Sequence, residues 1–401
     1  METGSEAMDF LSLAQKEEAE LIRFRRHLHQ NPELSWQEKE TTKWLAAELK
    51  KIGLEPITWP DKTGVLVEIH GTQPGKTIAL RADIDALPVQ EENQVSYASQ
   101  RPGVMHACGH DGHAACLLGA ARLLVQLRAQ MKGSVRLLFQ PAEECGGGAF
   151  GMLEKNVLQN PVPDAVFALH CTAELPTGTI GLRPGPLMAA CDSFRIVLKG
   201  RGGHGAMPHK TRDPIVGAAA LIQSIQTIVA RNTDPLSAAV ISFGSIHGGA
   251  AGNVIPETVV LEGTLRTLEV DVRKLAMERL QQVTTHTALA LELEAALEFS
   301  GHFPAVNNPP DLTQECKAAV RALLPVVCID PFTPVMATED FSVLQQKVPG
   351  VLIWLGAGNA EKKICQPLHH VCFDLDEDAL VYGTALYAAL AWSFLEHFPG
   401  K

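Results

Sequence analysis

The chain has 401 residues, 46% of them hydrophobic and 20% charged, which is the composition of a folded protein long enough for two cores. Lysine and arginine number 34 against 45 aspartates and glutamates, a formal net charge of −11. No basic patch stands out that would release counterions from a nucleic acid, so the expected partner is a small molecule and not nucleic acid.

Residues 15–52 read as a pair of helices broken at Asn31-Pro32, with Leu21, Phe24 and Leu28, then Trp44, Leu45 and Leu49, at helical spacing. Short β-rich runs follow at 65–69 and 77–82, then a helix over 112–128 and a strand over 134–139. A glycine-rich loop at 146–148 leads to another helix and a strand over 165–169. Strands alternating with helices predict an α/β fold, a sheet with helices on both faces. Near residue 190 the pattern changes to strand 194–199, helix 214–230, strands 238–246 and 259–265, helix 270–288 and strand 292–299. That β-α-β-β-α-β order is the ferredoxin-like arrangement. Beyond a proline-rich stretch at 304–310 the first pattern resumes, with a strand over 351–355 and a closing helix over 376–395. The expectation is one catalytic domain in two pieces, 1–190 and 303–401, interrupted by an inserted domain over 191–302.

No unbroken apolar run reaches the roughly 18 residues of a membrane-crossing helix. METGSEAMDF has no basic stretch leading into a long apolar one, so a secretory leader is not expected. Nine scattered cysteines suit reduced thiols of a cytoplasmic protein better than a disulfide framework.

The densest chemical signal is His106-Ala107-Cys108-Gly109-His110-Asp111-Gly112-His113. Thiol and imidazole are the usual ligands of zinc and similar divalent metals. A loop opening a helix also stabilises a thiolate at the positive end of the helix dipole. The plain alternative is a polar helix start capped by Asp111. Gln140-Pro141-Ala142-Glu143-Glu144 follows the 134–139 strand. Adjacent side chains diverge, so one glutamate can bind metal while the other faces substrate as general base. Two solvated acids at a helix start would look the same. Asp83 and Asp85 end the 77–82 strand, where α/β folds bind ligands, and Asp85 can hydrogen-bond a ligating imidazole. His170 also ends a strand, and His369 stands in the segment PLHHVCF beside its rival His370. Gly200–Gly205 satisfies G-x-G-x-x-G, but no helix starts on its last glycine, so it reads as a small-residue loop presenting His204 and His209 and not as a dinucleotide site. No G-x-S-x-G elbow supports a serine hydrolase.

Taken together, segments 25–38, 81–88, 106–113, 140–144, 200–209, 252–257, 338–342 and 368–373 resemble the aminoacylase and glutamate-carboxypeptidase superfamily of co-catalytic metallohydrolases. The likeness is to the branch of hippurate hydrolases, N-acyl-amino-acid amidohydrolases and plant auxin-conjugate hydrolases. The resemblance implies a metallopeptidase-like catalytic domain and an inserted lid or dimerisation domain. It further implies two divalent ions, zinc or manganese with cobalt and nickel compatible, held by Cys108, His110, Glu144, His170 and His369. Glu143 matches the general base and Asp85 the acid behind the site. His204 matches a histidine that stabilises the oxyanion, often across a dimer, an effect worth ~3 kcal/mol. Asn253 and Arg266 match positions near the substrate's carboxylate or carbonyl, and His209 joins them as a substrate-side residue. Asp83 falls where other branches have a ligating histidine and is left out of the ligand set. After the last ligand, relatives carry a small polar residue and proline, whereas here His370-Val371 follows. The implied activity is hydrolysis of the amide bond of an N-acyl amino acid, with a homodimer through the insert. A dipeptidase or aminopeptidase on the same scaffold, and a silent binding protein, are the competing readings.

Overall fold

The computed structural model describes residues 8–397. These residues form two compact units: 8–185, 307–333 and 343–397 in the first, and 186–306 with 334–342 in the second.

The first unit is built on a seven-stranded sheet in the order Val65–His70, Lys132–Gln140, Gln73–Asp83, Ala165–Pro176, Gly350–Gly358, Thr179–Gly181, Cys328–Asp330. The four central strands are parallel, so their carboxyl ends share one edge. Gly350–Gly358 is buried along its whole length, the pattern of a parallel strand covered on both faces. Helix His110–Leu127 packs against these strands and against Ala379–His397. Gly119 permits that closeness, since a methyl group there would meet Leu21 and stand 2.6 Å from the Thr384 hydroxyl. The α/β expectation holds, and most predicted elements fall within a few residues of those observed, although the strand expected over 165–169 continues to Pro176 and so takes in His170. The proline-rich stretch does more than link: Pro310 opens helix Pro310–Leu323, because proline's missing N–H costs nothing in the first turn.

The second unit is a four-stranded antiparallel sheet ordered Glu294–Phe303, Ala190–Lys199, Thr258–Thr267, Ala239–Gly248. Its strands alternate buried and exposed residues, and the buried Phe194, Ile196 and Leu198 share a core with Leu221 and Leu280 of helices Pro214–Thr227 and Val270–Ala290. This is the ferredoxin-like pattern expected from the sequence.

Two helical stretches, Pro214–Asn232 and Ala379–Glu396, have the length and mean hydropathy of a membrane-crossing helix. Counting unbroken apolar runs misses them, because isolated residues such as Gln223 and Ser224 interrupt an apolar average. Ala379–Glu396 is 78% buried inside its own unit, as a core helix would be, whereas Pro214–Asn232 is 33% buried, with Gly217, Ala218, Leu221 and Ile225 on its inward stripe.

Candidate metal centre

The centre lies at the carboxyl edge of the parallel strands. Arg81 and Asp83 end one strand, Glu143 and Glu144 follow the next, and His170 lies within a third, opposite Trp354 of a fourth. Helix His110–Leu127 starts at the same edge after Gly109, whose left-handed φ of 85° turns the loop sharply. The start is fixed from behind. Arg25, fully buried, donates to Asp111 at 2.8 Å and to Asp374 at 2.6 Å, and His29 lies 2.8 Å from Asp111 and 3.2 Å from Glu91. Burial and the Arg25 charge push the His29 imidazole down, but these two carboxylates outweigh them and hold it above its ordinary value. Asp111 therefore anchors the helix through Arg25 and His29 and makes no cap.

Five of the residues named from the sequence meet here. Cys108 Sγ is 3.5 Å from His170 Nε2 and 3.3 Å from His369 Nε2. Glu144 Oε1 is 3.4 Å from His369 Nε2 and 3.8 Å from His110 Nε2. Two donor groups result, Cys108-His110-His170 and Cys108-Glu144-His369, each with its ligand atoms within 4.8 Å of one another and with Cys108 in both. Glu143 joins His110 and Glu144 in a third. Asp85 braces the arrangement. Its backbone carbonyl accepts from His110 Nδ1 at 2.9 Å, and its carboxylate accepts the Glu144 amide at 3.0 Å and the Ser35 hydroxyl at 2.7 Å.

These contacts set the tautomers. A carbonyl can only accept, so His110 and His170, the latter 2.9 Å from the Cys171 carbonyl, each carry a proton on Nδ1, and in the neutral ring Nε2 is left with a lone pair facing the cluster. His113 is different, because its Nε2 accepts the Cys171 amide at 2.7 Å and its Nδ1 donates to Asp83 at 2.5 Å. Both nitrogens are used, so His113 has no lone pair to offer a metal. Asp83 is held by Arg81 at 2.7 Å.

The electrostatics fit a cation. Burial, then the charges of Glu144 and Glu143, push the Cys108 thiol well up. Burial opposes charge on His110, yet Asp83, Asp85 and Glu144 raise it to about 10. The carboxylates' share of both shifts records surplus negative charge that a proton relieves, and a divalent ion would relieve it better. His110 Nε2 and Glu144 Oε1 are buried without a hydrogen-bond partner, which is costly unless something else binds them.

The neighbouring histidines 369 and 370 separate by backbone geometry. His369 adopts a left-handed φ of 66°, with its amide donating to the Ala107 carbonyl at 2.7 Å, and it faces Cys108. His370 instead accepts the Cys372 amide on Nδ1. In the second unit, His204 and Asn253 are joined by the short pairing of Gly203–His204 with Val254–Ile255, and both are exposed, as is His209. Arg266 donates to the Met336 carbonyl at 2.9 Å and to Thr338 at 3.1 Å.

Sequence reasoning assigned no role to Glu38. It is fully buried, accepts the Ala142 amide at 2.8 Å and the Thr63 hydroxyl at 2.7 Å, and so secures the left-handed Ala142 that turns Glu143 and Glu144 inward. Burial pushes its carboxyl up to about 7. The only signal was its place in segment 25–38.

Comparison with known proteins gives the family. Residues 79–393 match the model of peptidase family M20/M25/M40. The chain is 45% identical to the N-acetyl-L-cysteine deacetylase of Bacillus subtilis over 91% of this chain and 85% of that one. It is 38% identical to IAA-amino acid hydrolase ILR1-like 4 of Arabidopsis thaliana over 96% and 88%. Among solved structures, the YXEP protein of Bacillus subtilis, described as a dinuclear metal binding peptidase from the M20 family, superposes with a TM-score of 0.85 at 38% identity, over 95% of this chain and 99% of that one. This chain is a hydrolase belonging to peptidase family M20/M25/M40.

Proposed function

We propose that the chain is a metal-dependent amidohydrolase that cuts the amide bond of N-acyl amino acids, with Cys108, His110, Glu144, His170 and His369 holding two divalent ions. The observation that carries this reading is the convergence of those five donors, from four separated stretches of chain, around a shared thiol. The acetylated and auxin-conjugated amino acids named in the relatives' descriptions support the substrate class. Bound ions of this kind polarise a carbonyl and make water acidic.

Glu143 takes the proton of the attacking water and returns it to the leaving amine, while its neighbour Glu144 stays committed to the ligand set. Asp85 and the Cys171 carbonyl keep the imidazoles of His110 and His170 facing the ions. His204 donates to the oxyanion, and Asn253, Arg266 and His209 receive the amino-acid carboxylate or carbonyl. Zinc or manganese is the expected metal, and a thiol with three imidazoles also accepts cobalt or nickel. The second unit acts as lid and dimerisation domain, in a cytoplasmic protein that engages neither membrane nor nucleic acid. Loading the metal-free protein with one defined metal at a time and offering N-acetyl and N-benzoyl amino acids beside free dipeptides tests this reading. Metal-dependent release of free amino acid from the acylated compounds is expected, and a preference for dipeptides would overturn the substrate assignment.

A further inference from the structure

A groove of about 930 Å³ lies in the first unit between helix Lys39–Lys51 and residues 58–63. Along the helix, Lys39, Lys43 and Lys50 fall at i, i+4 and i+11, on one face, with Ala46 and Ala47 between them. The two alanines make a hollow, and the lysines rim it. Trp59 and Lys62 form the facing wall. The floor is rigid, because the Thr42 hydroxyl donates to the Glu38 carbonyl at 2.6 Å and accepts the Gly64 amide at 2.9 Å, and Thr63 is bonded to Glu38.

Trp36 closes one end. It holds a left-handed φ of 63°, uncommon for a bulky aromatic residue. That conformation lays its indole against Gly147 and Gly151, where added methyl groups would stand 3.1 and 2.5 Å from the ring, and leaves the side chain 38% exposed. The Lys62 ammonium sits 5.2 Å from its ring centroid.

The charge here runs against that of the whole chain. Four lysines line the groove against one acid, Asp61, which is already paired with Lys155. Lys43 and Lys62 have carboxylate partners, Glu40 and Glu154, but Lys39 and Lys50 have no ion-pair partner among the described residues. In a protein of net charge −11, a patch of this kind concentrates anions. Apolar hollow, indole walls and uncommitted ammonium groups together describe one ligand chemistry.

We propose that this groove binds a small aromatic anion, its ring over Ala46 and Ala47 between Trp36 and Trp59, its charged group between Lys39 and Lys50. The site is separate from the donor cluster and does not depend on the proposed reaction.

The test uses the full chain labelled with 5-fluorotryptophan. Its five tryptophans give fluorine resonances that can be assigned by single Trp→Phe changes, and Trp354, whose ring is 4.8 Å from that of His170, reports on the donor cluster. Titration with 2-naphthoate should shift the Trp36 and Trp59 resonances saturably. The double variant Lys39→Ala/Lys50→Ala alters two exposed side chains and should weaken that binding roughly five- to tenfold. Movement of Trp354 alone would place the anion at the donor cluster and overturn the proposal. An unchanged dissociation constant in the double variant, or equal shifts with inorganic phosphate, would overturn it as well.

Discussion

Cys108, His110 and His170 are shut inside the first unit, whereas His204 and His209 stand exposed on the second. The buried set needs elaborate support. Asp83, Asp85, Arg81 and two backbone carbonyls fix the rings and their protons, and behind them Arg25 and His29 neutralise Asp111. Removing one member of such a buried pair typically costs ~3–5 kcal/mol, because its partner is left charged in a dry interior. The exposed loop pays nothing comparable, since His204 is held only by local contacts, its pairing with Val254 and the Ala206 amide that its Nδ1 accepts at 3.0 Å, with solvent around the ring. A cluster that keeps His110 Nε2 and Glu144 Oε1 in its interior without hydrogen-bond partners is therefore shaped for a ligand that offsets that cost, and the loop is shaped to present a group to solvent or substrate.

The sharpest way to break this contrast is to separate chemistry from support inside the buried set. Glu143→Ala should retain bound metal yet lower kcat by ~10²–10⁴-fold, the usual range for a lost general base. Metal analysis with steady-state kinetics reads both, and near-normal turnover would remove Glu143 from that role. On the exposed side, His204→Ala should cost ~10²–10³-fold in kcat, as for a lost oxyanion donor, and leave the unfolding midpoint within about 0.5 kcal/mol of the parent. A large drop in stability would show that this loop also carries structural weight, and the contrast would fail.

The smallest effect concerns Glu38, which serves the buried set from behind. Its carboxyl rises from an ordinary 4.5 to about 7, chiefly through burial. An acid raised in this way binds its proton more tightly folded than unfolded, so stability is greatest below the unfolded value and falls as pH climbs through the folded one. The wild type should lose up to about 3 kcal/mol from this group between about pH 4.5 and 7. Glu38→Gln should flatten that slope in urea titrations of metal-free protein, and parallel slopes would show that the group is already ionised in the fold.

Much of this was legible along the chain. Apolar runs of strand length alternating with helical spacing mark both sheets, and the ferredoxin-like order of the second unit reads directly from residues 191–302. The donor types in segments 106–113 and 140–144 are equally plain, because their chemistry is written in adjacent residues. Glu38 was not legible, since the amide it holds lies 104 positions away at Ala142.

What the amino-acid order determined by itself was the inventory: element types, the reactive side chains, and the surplus of acids around them. Tertiary structure alone decided which nitrogen of each imidazole is free, that His113 is consumed by Asp83 and Cys171, and that His369 and not His370 faces Cys108. The reason is physical. Local spacing governs which groups can share a helix face or a strand edge, but lone-pair direction depends on hydrogen bonds to backbone brought from distant segments, and no local pattern encodes those.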